Sequence, residues 1–142
     1  MDSNLQQFLS DLKKETTDVL NKTNKKIKDT ALAVNDQLML PKSLQGTPVI
    51  TQHLRNNWVI TTDHEWLDVS GSRENPNNSE QDSSLSMFVG MNDLYLKSNI
   101  FFNNNVWYGP RVNYGGDGIA AQQFRKKAIQ VGTEYLGVVK NE

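Results

Sequence analysis

The chain has 142 residues with 15 basic and 16 acidic side chains, a net charge of −1, and no cysteine. That balance gives no global attraction to nucleic acid or anionic lipid, and the lack of thiols rules out disulfides and thiolate metal sites. At this length one domain is expected, yet only 37% of residues are hydrophobic and the mean hydropathy is −0.61. Such a composition predicts either an extended segment or an interior finished by neighbouring subunits. No run approaches the roughly 18 apolar residues of a membrane span. The opening MDSNLQQF lacks a basic start and an apolar signal core, so a soluble chain, not exported by a signal peptide, is expected.

Residues 3 to 39 carry an apolar stripe at helical spacing: Leu5, Phe8, Leu9, Leu12, Val19, Leu20, Ile27, Ala31, Val34 and Leu38. This predicts one long amphipathic helix or two shorter ones within residues 1–40. Ser3 with Gln6 offers a capping box, and Asp2 a charge near the positive end. Thr16 and Thr23 dilute the stripe, and a thin seam of this kind suits packing on a sheet or a neighbour. The opposite face holds Lys13, Lys14, Lys22, Lys25, Lys26 and Lys28, read first as a solvated surface and second as a contact for DNA or an acidic partner. Pro41 closes the helix, because proline disfavours helix in the residue before it.

The next stretch, GTPVITQHLRNNWVI (46–60), concentrates several signals. Gly46 and Pro48 supply turn chemistry, and Thr51 is placed to cap a short helical turn over Gln52 to Asn56. Leu54 and Trp58, four apart, point inward together, with Arg55 directed elsewhere. Residues 57–69 then read as a strand, bent around Asp63, His64 and Glu65. The segment 70–84 (SGSRENPNNSEQDSS) has no large apolar residue and reads as a long polar loop of a size that usually serves an interface or ligand. Alternation of Leu85, Met87 and Val89 predicts a second strand closed by Gly90, and 94–103 a third. Asn103, Asn104 and Asn105 form a turn, followed by the aromatic knot Trp107-Tyr108 and by Arg111 and Tyr114. The group Gly115, Gly116, Asp117 and Gly118 starts a last helix over 117–136, weakened by Gly132 and closed by Gly137. Strands in succession without crossover helices define an α+β fold with an antiparallel sheet of three to four strands, in a single domain spanning 1–142.

Chemistry is sparse. The glycines before the last helix fit neither a dinucleotide fingerprint nor a phosphate loop, and a turn is the simpler account. His53 and His64, with Asp63, Glu65 and Asp68 nearby, lack the spacing of a zinc site, and a surface histidine beside acids is the commoner case. No activated nucleophile is legible. No cofactor is expected. The aromatics Trp58, Trp66, Trp107, Tyr108 and Tyr114 fit packing or an interface better than a base-stacking platform, because only Arg111 interleaves them.

TPVITQHLRNNWVI resembles the TPVxTGxLRxSW segment of small head–tail joining or tail-completion (neck) proteins of tailed bacteriophages. IFFNNNVWYGPRVNYGGDGIAAQQFRKKA is similar to the second half of that pattern, with Asn105, Tyr108, Tyr114 and Gly115 at its Asn, Tyr and aromatic–Gly positions. Gln52 stands where the pattern has glycine, Asn113 where it has an acid, and Asp117-Gly118 where it has Pro-Gly. The resemblance implies a non-enzymatic virion protein, assembled in the host cytoplasm, that forms a hexameric or dodecameric ring at the portal–tail junction. It joins head to tail and helps seal the DNA channel. Implied partners are identical copies, the portal or adaptor and the tail-tube or terminator proteins, with non-specific contact to channel DNA and none to membrane. Within it, Arg55, Trp58, Trp107, Tyr108, Arg111 and Tyr114 are expected at subunit or partner interfaces, with Arg55 bridging the central turn to the sheet or to a neighbour's carboxylate. The alternatives are a tail-terminator ring, a small nucleic-acid-binding module and a metal-dependent hydrolase using the two histidines.

Overall fold

A computed structural model describes residues 3–48, 52–115 and 123–137. The fold is α+β: a long N-terminal helix, a two-stranded antiparallel sheet and a C-terminal helix, with two further helices between. Helix α1 runs unbroken over Ser3–Met39. Its apolar stripe meets the body only in the second half, where Ala31 and Leu38 are buried. Asn24 fixes the middle of the helix: its amide donates to the Met91 carbonyl (3.1 Å) and its oxygen accepts from the Leu94 amide (2.7 Å). Residues 3–19 are exposed throughout, so the first half of α1 is an arm.

After Pro41 the chain folds back over the helix end. The Thr47 amide donates to the Leu38 carbonyl (3.0 Å) and the Gly46 amide to the Pro41 carbonyl (3.1 Å). Glycine at 46 is required by space: a Cβ there would stand 1.8 Å from the Leu40 carbonyl oxygen. A short 3-10 turn over Arg55–Asn57 leads into strand β1 (Val59–Thr61), which pairs with β2 (Phe101–Asn103) in the register Val59↔Asn103, Ile60↔Phe102, Thr61↔Phe101. The expected strand at 57–69 is therefore three residues long, and the chain bends at 62–64, where the Thr61 hydroxyl donates to the His64 carbonyl (2.7 Å).

Two expected strands take other forms. Residues 79–84, expected within the polar loop, and 85–89, expected as a strand, together form helix α2 (Ser79–Val89). Alternation of Leu85, Met87 and Val89 suggests period two, but the inward positions are Gln81, Ser84, Leu85 and Phe88, at helical spacing, with Met87 and Val89 outside. Glu80 and Asp82 in the first turn complement the helix dipole. The loop proper is 70–78, pinned by the pairing of Gly71 with Pro76. Of the expected strand 94–103, the first part is a 3-10 turn over Leu94–Leu96, and only the last three residues join the sheet. Among the described residues the sheet thus has two strands, not three or four.

Helix α3 (Gly109–Tyr114), unexpected from the sequence, starts on Pro110 in its first turn, where a missing N–H costs nothing. Helix α4 (Phe124–Leu136) packs on α1 and ends at Gly137 in the left-handed region (φ 75°), as expected. The charge of Asp2, the Thr51 cap and the glycine-rich start at 116–118 lie outside the described residues. Gly132 lets the two helices approach, since a Cβ there would lie 2.8 Å from Val34 Cγ2. The core is split. One cluster gathers Leu38, Leu54, Trp58, Val106, Phe124 and Ala128, and the other Ala31, Ile60, Phe88 and Leu94, with Phe102 touching both.

Candidate functional site

The residues singled out from sequence divide into an interior group and a surface group. Arg55 and Trp58 converge on Thr47, which has no exposed surface. The Trp58 indole N–H donates to Thr47 Oγ1 (2.8 Å), and its ring meets Phe124 edge-on with centroids 6.2 Å apart. Arg55 Nη2 donates to the carbonyls of Thr47 (2.9 Å) and Leu40 (3.0 Å), and Nε to Thr47 (3.3 Å). Loss of water around the guanidinium lowers its pKa from the ordinary value, yet arginine stays charged near neutral pH. Arg55 thus bridges the central turn to the end of α1 within one chain, where a link to the sheet or to a neighbour's carboxylate was expected. Trp58 lies in the core, away from any exposed interface.

At position 52 the backbone is left-handed (φ 67°). A glycine-like conformation is used there although the residue is glutamine. Asn113 likewise acts as an acceptor where an acid was expected: its Oδ1 receives the Arg125 amide (3.0 Å) at the start of α4.

Trp107, Tyr108 and Arg111 come together on the surface. The two rings meet edge-on at 5.4 Å, and the Arg111 guanidinium lies 6.0 Å from the Trp107 centroid. Trp107 is 74% exposed, an unusual cost for tryptophan on a free surface. Arg73, from the polar loop, stands 5.4 Å from the Tyr108 ring. Sequence reading did not select it, because a lone arginine in a polar tract carries no periodic signal. Tyr114 stands apart from this cluster in its contacts: its hydroxyl accepts from Arg125 Nη1 (3.0 Å).

His53 is buried, not at the surface as expected. Its Nδ1 is 3.3 Å from Asn57 Nδ2, and its ring tilts against Tyr108 with centroids 6.2 Å apart. Asn57 also ties the start of the polar loop, donating to the Ser70 carbonyl (3.0 Å) and accepting from the Ser70 amide (2.8 Å). His64 is exposed in the bend after β1 and lines a groove beside that strand. Among the described residues no group of three or more His, Asp and Glu side chains is placed to hold a metal ion. The asparagines read as a simple turn do more: Asn103 donates to the Val59 carbonyl (2.9 Å) and Asn104 to the Leu54 carbonyl (2.7 Å).

A groove of about 280 Å³ opens between β1, the bend after it and α2. Ile60, Phe88, Met87 and Met91 line it with apolar surface, and Asp63, His64, Glu65 and Glu80 are its ionisable lining residues. Among the described residues no lysine or arginine lines it. Asp63 is paired with Lys97 (3.1 Å), and that hydrogen bond raises the lysine's pKa.

The described residues of this α+β fold thus present an aromatic–arginine patch, an exposed apolar half of α1 and a groove with three carboxylates on its rim. Compared with protein-family models, curated proteins and solved structures, this chain has no match.

Proposed function

We propose that this chain is a non-enzymatic structural subunit that assembles with copies of itself into a ring at the head–tail junction of a tailed phage. The observation that carries the assembly half of this reading is the arm. Leu5, Phe8, Leu9, Leu12 and Val19 are 47%, 60%, 47%, 49% and 61% exposed along a single helix. A run of that length exposes a contiguous apolar strip that a solitary domain would normally cover. The split core points the same way, because ring interfaces add the burial that a thin interior lacks.

The viral setting rests on the TPVITQHLRNNW segment. Its features have structural work to do in this chain: threonine at 47 receives two partners, position 52 is left-handed, and Arg55 and Trp58 lock the turn. In this setting the patch of Trp107, Tyr108 and Arg111 faces a neighbouring copy or an adjoining neck layer.

Particle assembly tests the reading. Removing the chain from the phage genome that encodes it is expected to leave DNA-filled heads and finished tails unjoined, visible by electron microscopy. Normal yields of tailed particles would refute it.

A further inference from the structure

We infer that residues 66–70 form an open strand edge that takes up an extended segment of a partner protein, one in which apolar and basic residues alternate. The edge exists whatever particle the chain belongs to, so this goes beyond the proposed function and stands or falls separately from it.

Trp66, Leu67 and Val69 favour extended backbone, and no residue from Glu65 to Ser70 is helical or has a positive φ. The hydrogen bonds of this segment fall on alternate residues. The Trp66 amide donates to Asn103 Oδ1 (3.2 Å), and the Trp66 carbonyl accepts from Asn105 Nδ2. The same Asn105 nitrogen reaches the Asp68 carbonyl at 3.5 Å. The Ser70 amide donates to Asn57 Oδ1 (2.8 Å), and its carbonyl accepts from Asn57 Nδ2 (3.0 Å). In a strand the backbone groups of every second residue point to one edge. Three asparagine side chains therefore take the place of a neighbouring strand along the inner edge and hold the segment extended.

The outer edge is the row left over. The N–H and C=O groups of Leu67 and Val69 alternate with the bonded ones and so face away from the asparagines. Among the described residues neither backbone has a hydrogen-bond partner. The two side chains share one face of the strand and are 75% and 43% exposed. Such an edge is a template for one more strand: main-chain bonds supply affinity, and alternate side chains supply selectivity.

Charge decides which strand fits. Glu65 and Asp68 are exposed, and among the described residues neither has a basic side chain paired with it. If a second copy offered the same edge antiparallel, with Leu67 opposite Val69, Asp68 would lie directly across from its own counterpart. Like charges so placed destabilise a strand pair. A partner segment with lysine or arginine across from Asp68, and β-branched residues across from Leu67 and Val69, gains at both kinds of position.

The probe is a fluorophore-labelled synthetic peptide, Thr-Val-Lys-Val-Thr-Lys, capped at both ends. Lying antiparallel, it sets its valines against Leu67 and Val69 and its lysines against Asp68 and Glu65. Fluorescence anisotropy with the full chain is expected to show saturable binding below about 1 mM. Methylating the two valine nitrogens leaves every side chain in place but removes the donors to the edge, and affinity should fall about tenfold or more. Glutamate in place of both lysines should weaken binding by a similar factor. Leu67→Pro removes an amide that makes no bond within the chain, so it should abolish binding and leave the thermal melt unchanged. If that variant melts early, the N-methylated peptide decides alone. No binding of the unmodified peptide by about 1 mM would overturn the inference, as would equal binding of the N-methylated peptide, of the glutamate peptide or by a folded Leu67→Pro chain. Dimers of the chain alone that Leu67→Pro abolishes would overturn it too, because the edge would then serve a second copy.

Discussion

Replacing Arg55 with alanine tests whether the central turn is held to the long helix by one side chain. The guanidinium serves two carbonyl oxygens, Leu40 at 3.0 Å and Thr47 at 2.9 Å, and Thr47 is fully buried. A hydrogen bond to a charged donor contributes about 1.5 kcal/mol at the low end of its range. Because Arg55 is itself half-buried and water can reach part of the vacated space, the low value is appropriate for each acceptor. The sum is about 3 kcal/mol, a large fraction of the 5–15 kcal/mol typical of a domain. Urea unfolding followed by tryptophan fluorescence should show a midpoint lowered by roughly 1–2 M at an ordinary slope for this size. Arg55→Lys keeps the charge but has no planar fork to span two carbonyls, so it should recover less than half of the loss. A stability within about 0.5 kcal/mol of the parent for Arg55→Ala would refute the reasoning, since that is the range of an unremarkable surface change.

Other changes separate neighbouring causes. Thr47→Val preserves shape but leaves the buried Trp58 indole N–H without an acceptor; about 2 kcal/mol should be lost in the same urea assay, and no loss would mean the bond is idle. Gly132→Ala gains about 1 kcal/mol of helix propensity, but its Cβ meets Val34 Cγ2 at 2.8 Å, and overpacking of about 2 kcal/mol should win. A net stabilisation in thermal melts would show that α1 and α4 have room to part. Gln52→Gly relieves a left-handed residue costing about 1–2 kcal/mol while loosening the unfolded chain by up to about 1 kcal/mol, so a gain of about 0.5 kcal/mol is expected. A loss would assign the role to the glutamine side chain instead of its backbone.

The sequence alone determined the helical character of residues 3–39, though not that they form one helix instead of two, the end at Pro41, the inward pairing of Leu54 with Trp58 and the Gly137 stop. Each depends on forces between residues a few positions apart, such as helical periodicity, proline sterics and the left-handed tolerance of glycine. Helix α2 was hidden because Leu85, Met87 and Val89 satisfy period two as readily as Leu85 and Phe88 satisfy period 3.6. Only packing of Phe88 beside Ile60 settles which residues turn inward. The fate of the polar residues was also a tertiary matter. Nothing in the local sequence of His53, Asn57 or Asn103 marks them as bonded interior groups, since their partners lie as much as 44 positions away. The division of α1 into buried half and bare arm was likewise invisible, because one stripe runs through both. Where the stripe stops being covered depends on how far the rest of the chain extends along the helix. That is a property of the folded body, and among the described residues it leaves the apolar face of residues 3–19 exposed.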